Sequence, residues 1–120
     1  MEKQSGVFYK SISGSSPVEQ WLEEQNVRIA SKILRQIEHL EKFWGKALLP
    51  FVKILRDGLY ELTVKADGQD PRIIFYCDQD DKLIYLHGFM KEQKKTPRKE
   101  IDIALKRKND FCKRKEEKRL

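Results

Sequence analysis

Apolar residues alternate with polar ones in three runs between Leu59 and Thr96: LYELTVK, RIIFYC and LIYLHGFM. Clusters of Asp, Gly, Gln and Pro separate the runs. A period of two marks a strand with one buried face, and polar turns between such strands predict an antiparallel meander. The same period assigns faces. Tyr60, Leu62 and Val64 on the first strand, Ile73 and Phe75 on the second, and Ile84, Leu86 and Met90 on the third make one apolar face. Glu61, Thr63, Lys65, Arg72, Tyr76, Tyr85 and His87 collect on the other, where charge mixes with aromatic rings. That second face is the candidate working surface.

Before the meander the period lengthens. Val7, Phe8 and Tyr9 precede the turn SISGSS and predict an edge strand. Ser16-Pro17-Val18-Glu19 has the form of a capping box with proline in the first helical position. It predicts a short helix ending near Asn26, with Trp21 and Leu22 inward. From Val27, the residues Ile29, Ile33, Ile37, Leu40 and Trp44 recur every three or four positions. They predict a long helix that Gly45 ends in the left-handed conformation. The joint stripe of the two helices is the cover for the apolar face of the sheet. In the connection Lys46 to Gly58, Pro50 argues against a helix and leaves a loop with some extended pairing. After the meander, Thr96-Pro97 predicts a second capped helix start, with Glu100 at its positive end. Ile101, Ala104, Leu105, Phe111 and Cys112 line that helix, and residues 113–120 are expected to fray.

A chain of 120 residues makes one domain, 1–120, long enough to bury roughly two-thirds of its unfolded surface. Its charge is unevenly placed. Residues 91–120 hold 13 Lys/Arg against 6 Asp/Glu, whereas residues 1–90 hold 12 against 13, so the last quarter carries the whole excess of the net +6. Such a tail fits a polyanionic partner. Two cysteines, Cys77 and Cys112, are too few for a disulfide scaffold or a metal cluster and read as free thiols in a reducing compartment. No run approaches the roughly 18 apolar residues of a membrane span, and the first thirty residues lack the form of a signal peptide. The expectation is a soluble cytoplasmic protein.

Walker, HExxH, CxxC and GxSxG signatures are absent, which argues against nucleotide hydrolysis and zinc chemistry. The basic and aromatic surface suits a single-stranded nucleic acid, whose phosphates take cations and whose bases stack on rings. Each candidate also has a plain structural reading. Arg72 beside Asp70 makes a surface salt bridge, and Lys91, Lys94 and Lys95 a solvated charge run. His87 reads as a satisfied structural histidine, His39 as surface decoration, and Tyr76 and Tyr85 as rings packed under a helix.

The runs PVEQWLEE, DGLYELTVK, PRIIFY, LIYLHGFMKEQKKTP and EIDIALKR, in that order over residues 7 to 113, resemble the phage-derived, HigB-like branch of the RelE/ParE toxin superfamily of type II toxin–antitoxin systems. The resemblance implies an α+β fold of the RelE-like microbial ribonuclease type, with two N-terminal helices packed on an antiparallel sheet and a C-terminal helix. It further implies a ribosome-dependent mRNA endonuclease that works without a metal or other cofactor. The implied partners are the ribosome, mRNA, and an antitoxin encoded beside it, often of helix-turn-helix type, which joins the toxin in a hetero-oligomer.

On this resemblance Arg72 matches the family's strand arginine, and Lys91, Lys94 and Lys95 its basic segment. Two positions depart from the pattern. Glu61 and Thr63 stand where RelE-like members carry basic side chains, leaving Lys65, and Pro71 stands where an aromatic precedes the arginine. The implied chemistry is attack of a ribose 2′-hydroxyl on the adjacent phosphate. Arg72 would stabilise the phosphorane, a lysine among Lys65, Lys91, Lys94 and Lys95 would share that role or act as base, and His87 would rank behind them. Tyr76, Tyr85, Arg98, Lys99, Lys106, Arg107 and Lys108 are the candidate RNA contacts. Two other readings stay open: a ParE-like gyrase inhibitor, and a non-catalytic RNA-binding or antitoxin-binding module.

Overall fold

The computed structural model describes residues 5–45, 49–66 and 68–119; Lys46, Ala47 and Leu48 of the predicted loop, Asp67, and Leu120 of the tail lie outside the described residues. In chain order the elements are β1 (Gly6–Phe8), α1 (Pro17–Glu24), α2 (Val27–Phe43), β2 (Val52–Ile54), β3 (Tyr60–Thr63), β4 (Pro71–Cys77), β5 (Leu83–Met90) and α3 (Arg98–Arg119). Among the described residues the fold is α+β, a five-stranded sheet in the order β1-β5-β4-β3-β2 with three helices. Among the described residues, no helix is long and apolar enough to cross a membrane.

Strands β2 to β5 form the expected antiparallel ladder, and β2 supplies the extended pairing expected in the connection. Asp57 and Gly58 both take positive φ, 56° and 76°, and Leu59 N donates to Arg56 O at 3.0 Å. Positive φ at both central residues is the type I′ turn favoured by an Asp-Gly pair. The sheet is nevertheless mixed rather than wholly antiparallel, because β1 pairs parallel to β5. A strand that leaves through helices instead of a hairpin is under no constraint to run antiparallel to its neighbour.

Both faces of the sheet are covered. Val18 and Leu22 of α1 and Ile29, Ile33, Ile37 and Leu40 of α2 pack on one face, against Leu62, Ile73, Phe75, Leu83 and Tyr85. On the other, Ala104 is buried and Ile101, Leu105, Phe111 and Cys112 of α3 pack over Ile74, Tyr76, Ile84, Leu86 and Phe89. The expected working face is thus largely the floor under α3.

Strand β5, the last of the meander, departs from simple alternation. Ile74 pairs with His87 but Phe75 with Tyr85, so Leu86 is an extra residue and the ladder is bulged there. A bulge breaks the period of two. As a result Ile84 and Leu86 lie on the α3 side and Tyr85 on the α1–α2 side, the reverse of the expected assignment, while His87 shares the Arg72 face as predicted, with Phe89 beside it.

Helix ends also differ in detail. Asn26 caps α2 by accepting from Ile29 N at 2.9 Å, and Gly45 at φ 84° follows the helix as expected. Ser16 precedes α1, yet its side chain makes no capping bond and its buried hydroxyl has no partner, so the capping box does not form. The tail expected to fray continues α3 through Arg119, where Lys115 bridges to Asp78 at 2.7 Å in the β4–β5 turn.

Gly88, opposite Ile73 on the α1 side, lies against the Trp21 ring, which occupies the space a β-carbon would need. Overpacking of this kind costs about 1–3 kcal/mol. Gly88→Ala should therefore lower the urea midpoint with an unchanged denaturant slope; an unaltered midpoint would show that Trp21 swings away without cost.

Candidate functional site

Arg72 opens β4 opposite Thr63 on β3 and Phe89 on β5, at the end of the sheet where the chain leaves for α3. Its side chain is only 10% exposed, and carboxylates hold all three of its nitrogens. Nη1 donates to Glu61 at 2.6 Å, and Nε and Nη2 donate to the two oxygens of Asp70 at 2.8 and 3.0 Å. Glu61 is wholly buried, and its second oxygen accepts from the Thr96 hydroxyl. Thr96, expected to cap the last helix, instead joins the segment before α3 to this ion pair. Burial works to lower the Arg72 pKa, but the hydrogen bonds and charges of Asp70 and Glu61 outweigh it and hold the group above the ordinary arginine value.

Two lysines meet this cluster. Lys91 follows β5 and donates its backbone N–H to Asp70 O at 2.9 Å. Lys53 lies on β2 directly opposite Glu61, so both project from the same face. Partial burial first, and then the charges of Arg72 and Lys53, pull the Lys91 amine below its usual pKa, against the opposing pull of Glu61. The sequence reading missed Lys53 because it lies in a stretch read as a loop. The alternation Val52 inward, Lys53 outward was the signal that could have found it. Lys94 and Lys95 are exposed in the segment that follows Lys91.

The other candidates are dispersed. His87 sits under α3 between Glu100 and Arg107, each 3.2 Å from a ring nitrogen, and stacks on Phe89. An arginine only donates, so Nδ1 accepts and Nε2–H donates to Glu100, which is the neutral tautomer. Burial lowers the His87 pKa, as does Arg107, with Glu100 opposing. Tyr76 is buried beneath α3 with its hydroxyl 3.4 Å from Cys112 Sγ. Tyr85 is buried on the opposite face and donates to Glu41 at 2.6 Å. Burial raises both phenol pKa values, and neither ring offers a face to a base.

Of the basic residues on α3, Arg107 turns inward to Leu86 O at 2.9 Å and Lys108 reaches Asp57 O at 2.6 Å. Arg98, Lys99 and Lys106 are exposed on the outer side. Lys65 follows the end of β3 and is exposed, lining a cleft with Lys32 and Arg35 of α2. The structure therefore brings together Arg72 and Lys91, with Lys53 added, and separates them from Lys65, His87 and Tyr85. Among the described residues no cluster of His, Cys, Asp and Glu is placed to hold a metal, and Cys77 and Cys112 are free.

A sequence model of the family described as phage derived protein Gp49-like (DUF891) matches residues 20–109, three-quarters of the chain. No curated protein matches.

Two outcomes follow from this geometry. Removing one partner of a buried ion pair leaves an uncompensated charge and costs about 3–5 kcal/mol, whereas replacing both by apolar residues is often neutral. Arg72→Leu should lower the melting temperature sharply and the double variant Glu61→Leu/Arg72→Leu should recover most of it; additive losses would deny the coupling. The second outcome concerns His87, which is held neutral, so the unfolded chain binds more protons and stability rises with pH. That contribution is complete above the ordinary histidine pKa of 6.5 and is lost as pH falls below it toward the depressed folded value. The melting temperature should drop between about pH 7 and pH 5 more in the parent than in His87→Gln; equal drops would remove His87 as the cause.

Proposed function

The chain belongs to the phage-derived Gp49-like family, and from that premise we propose that it is the toxin of a type II toxin–antitoxin system of the RelE/ParE kind, an endoribonuclease that cuts mRNA on the ribosome. The observation that carries this reading is the convergence of Lys91, Lys53 and Arg72 at one end of the sheet, beside the exposed Lys94 and Lys95. A phosphate entering there meets several positive charges, and one amine has its pKa lowered toward the range of a useful base.

Under this reading the neutral form of Lys91 accepts the proton of the ribose 2′-hydroxyl. The oxygen attacks the adjacent phosphorus, the bond to the 5′-oxygen breaks, and a 2′,3′-cyclic phosphate remains. An ammonium, Lys53 or one of the exposed pair, stabilises the phosphorane and returns a proton to the departing oxygen. The part taken by Arg72 differs from the direct phosphate clamp expected from sequence, because Asp70 already occupies the bidentate edge of its guanidinium. Its charge acts at the site from behind Lys91, and direct contact would require the half-exposed Asp70 carboxylate to give way.

The engagement of Arg72 and the enclosure of His87 favour a second reading, a toxin that works by binding alone, as ParE-like gyrase inhibitors do. Inducing the protein in growing cells and mapping new 5′ ends separates the two. Fresh 5′-hydroxyl ends within translated mRNA support the nuclease, and intact transcripts with damaged DNA support the gyrase reading. Lys91→Ala, which removes a partly exposed side chain, should reduce cleavage by about a hundredfold with little change in melting temperature. A variant that cleaves at the parent rate would remove Lys91 from the mechanism. The reading also requires a protein partner: co-expression with the adjacent reading frame should yield a complex and restore growth, and two proteins that purify apart would overturn it.

A further inference from the structure

Residues 1–90 carry no net positive charge, yet four of their twelve Lys/Arg gather on one helix. Arg28, Lys32, Arg35, His39 and Lys42 recur along α2 at spacings of four and three, so they form one stripe about 21 Å long at 1.5 Å per residue. Its middle borders a cleft of about 530 Å³ between α2 and the start of β2, closed on the other side by Thr63, Val64 and Lys65 at the end of β3. Phe51 forms part of the wall, and its ring meets His39 edge-on at 5.1 Å. Among the described residues, the cleft is lined by Lys32, Arg35 and Lys65 with no carboxylate.

The position of the cleft matters as much as its charge. Thr63 borders it and is also the cross-strand partner of Arg72, while Phe51 is two residues before Lys53. The cleft and the Arg72–Lys91–Lys53 cluster therefore adjoin at the same end of the sheet, with Thr63 and the start of β2 between them. Cations at intervals along a groove with aromatic rings in its wall are the features that hold single-stranded nucleic acid, phosphates on the cations and bases on the rings.

We propose that this cleft binds the non-reacting stretch of a single RNA strand whose neighbouring phosphate lies in the Lys91 cluster, with Lys32, Arg35 and Lys65 contacting its phosphates and Phe51 taking a base. The inference rests on the nuclease reading for the second half of the path only; the cleft's affinity for single-stranded RNA does not depend on cleavage.

The test uses the full chain and a fluorescent RNA of about ten nucleotides, 2′-O-methylated so that it cannot be cut. Arg35→Glu/Lys65→Glu should weaken binding by about tenfold or more and lower the salt slope by about one and a half, two single-strand phosphate contacts being lost. On mRNA in programmed ribosomes the same variant should raise KM and leave kcat unchanged, as loss of uniform binding requires. Both substituted side chains are exposed, and thermal melting checks that the fold survives. Unchanged affinity would overturn the proposal. So would an equal loss from Lys99→Glu/Lys106→Glu, which makes the same charge change on α3 and would show that net charge alone sets the affinity. A variant that still binds the single strand but fails to bind duplex RNA or the antitoxin would reassign the cleft to that partner. Groove-dependent binding without any cleavage of mRNA on programmed ribosomes would remove the nuclease reading and leave the cleft standing, whereas cleavage there with an unaltered KM would do the reverse.

Discussion

The ion pair of Arg72 with Glu61 is the contact on which this end of the molecule depends. A carboxylate with no exposure to water is tolerable only if its charge and both its oxygens are matched. Here Arg72 meets one oxygen and Thr96 the other. The three residues come from β3, β4 and the segment leading into α3, so neutralising one buried charge fastens three parts of the chain together. Asp70 completes the arrangement by closing the outer edge of the guanidinium and accepting the backbone N–H of Lys91. The lysine proposed for catalysis is thus anchored to the same knot that holds the sheet to the final helix.

Coverage of both sheet faces follows from the same economy of space. A sheet with apolar residues on each side needs two layers over it, and α3 supplies the second. It brings much of the chain's positive charge with it, but only part of that charge stays outside. Arg107, Lys108 and Lys115 turn back to the sheet and its turns, whereas Arg98, Lys99 and Lys106 face away. The concentrated charge of the last quarter is therefore partly a fastening for the helix, and charge available to a polyanion is found as well on α2, where the net balance of the sequence conceals it.

Elements with a strong local signal were legible from the chain alone. The extent of α2, its start at Val27 and the glycine after it, the three meander strands, the edge strand near Val7 and the helix after Pro97 all follow from periodicity and from residues with restricted backbone preferences. The faces of β3 and β4 were legible for the same reason. The face of Tyr85 was not, because a bulge at Leu86 resets the alternation and is set by how β5 fits its neighbours, not by its own residues.

What the sequence by itself determined was therefore the α+β class, the helices, the meander and the positions of the charged residues along the chain, since these depend on interactions between residues a few positions apart. The tertiary structure alone decided which charges meet. Glu61 and Arg72 are eleven positions apart, Thr96 is a further twenty-four away, and Lys53 reaches Lys91 across the two intervening strands β3 and β4. Nothing local distinguishes Arg72 as a group engaged by carboxylates from Arg72 as a group open to phosphate. That difference arises from the low dielectric at the sheet's end, where a buried carboxylate must find a cation and the Arg72 guanidinium, 2.6 Å away, supplies it.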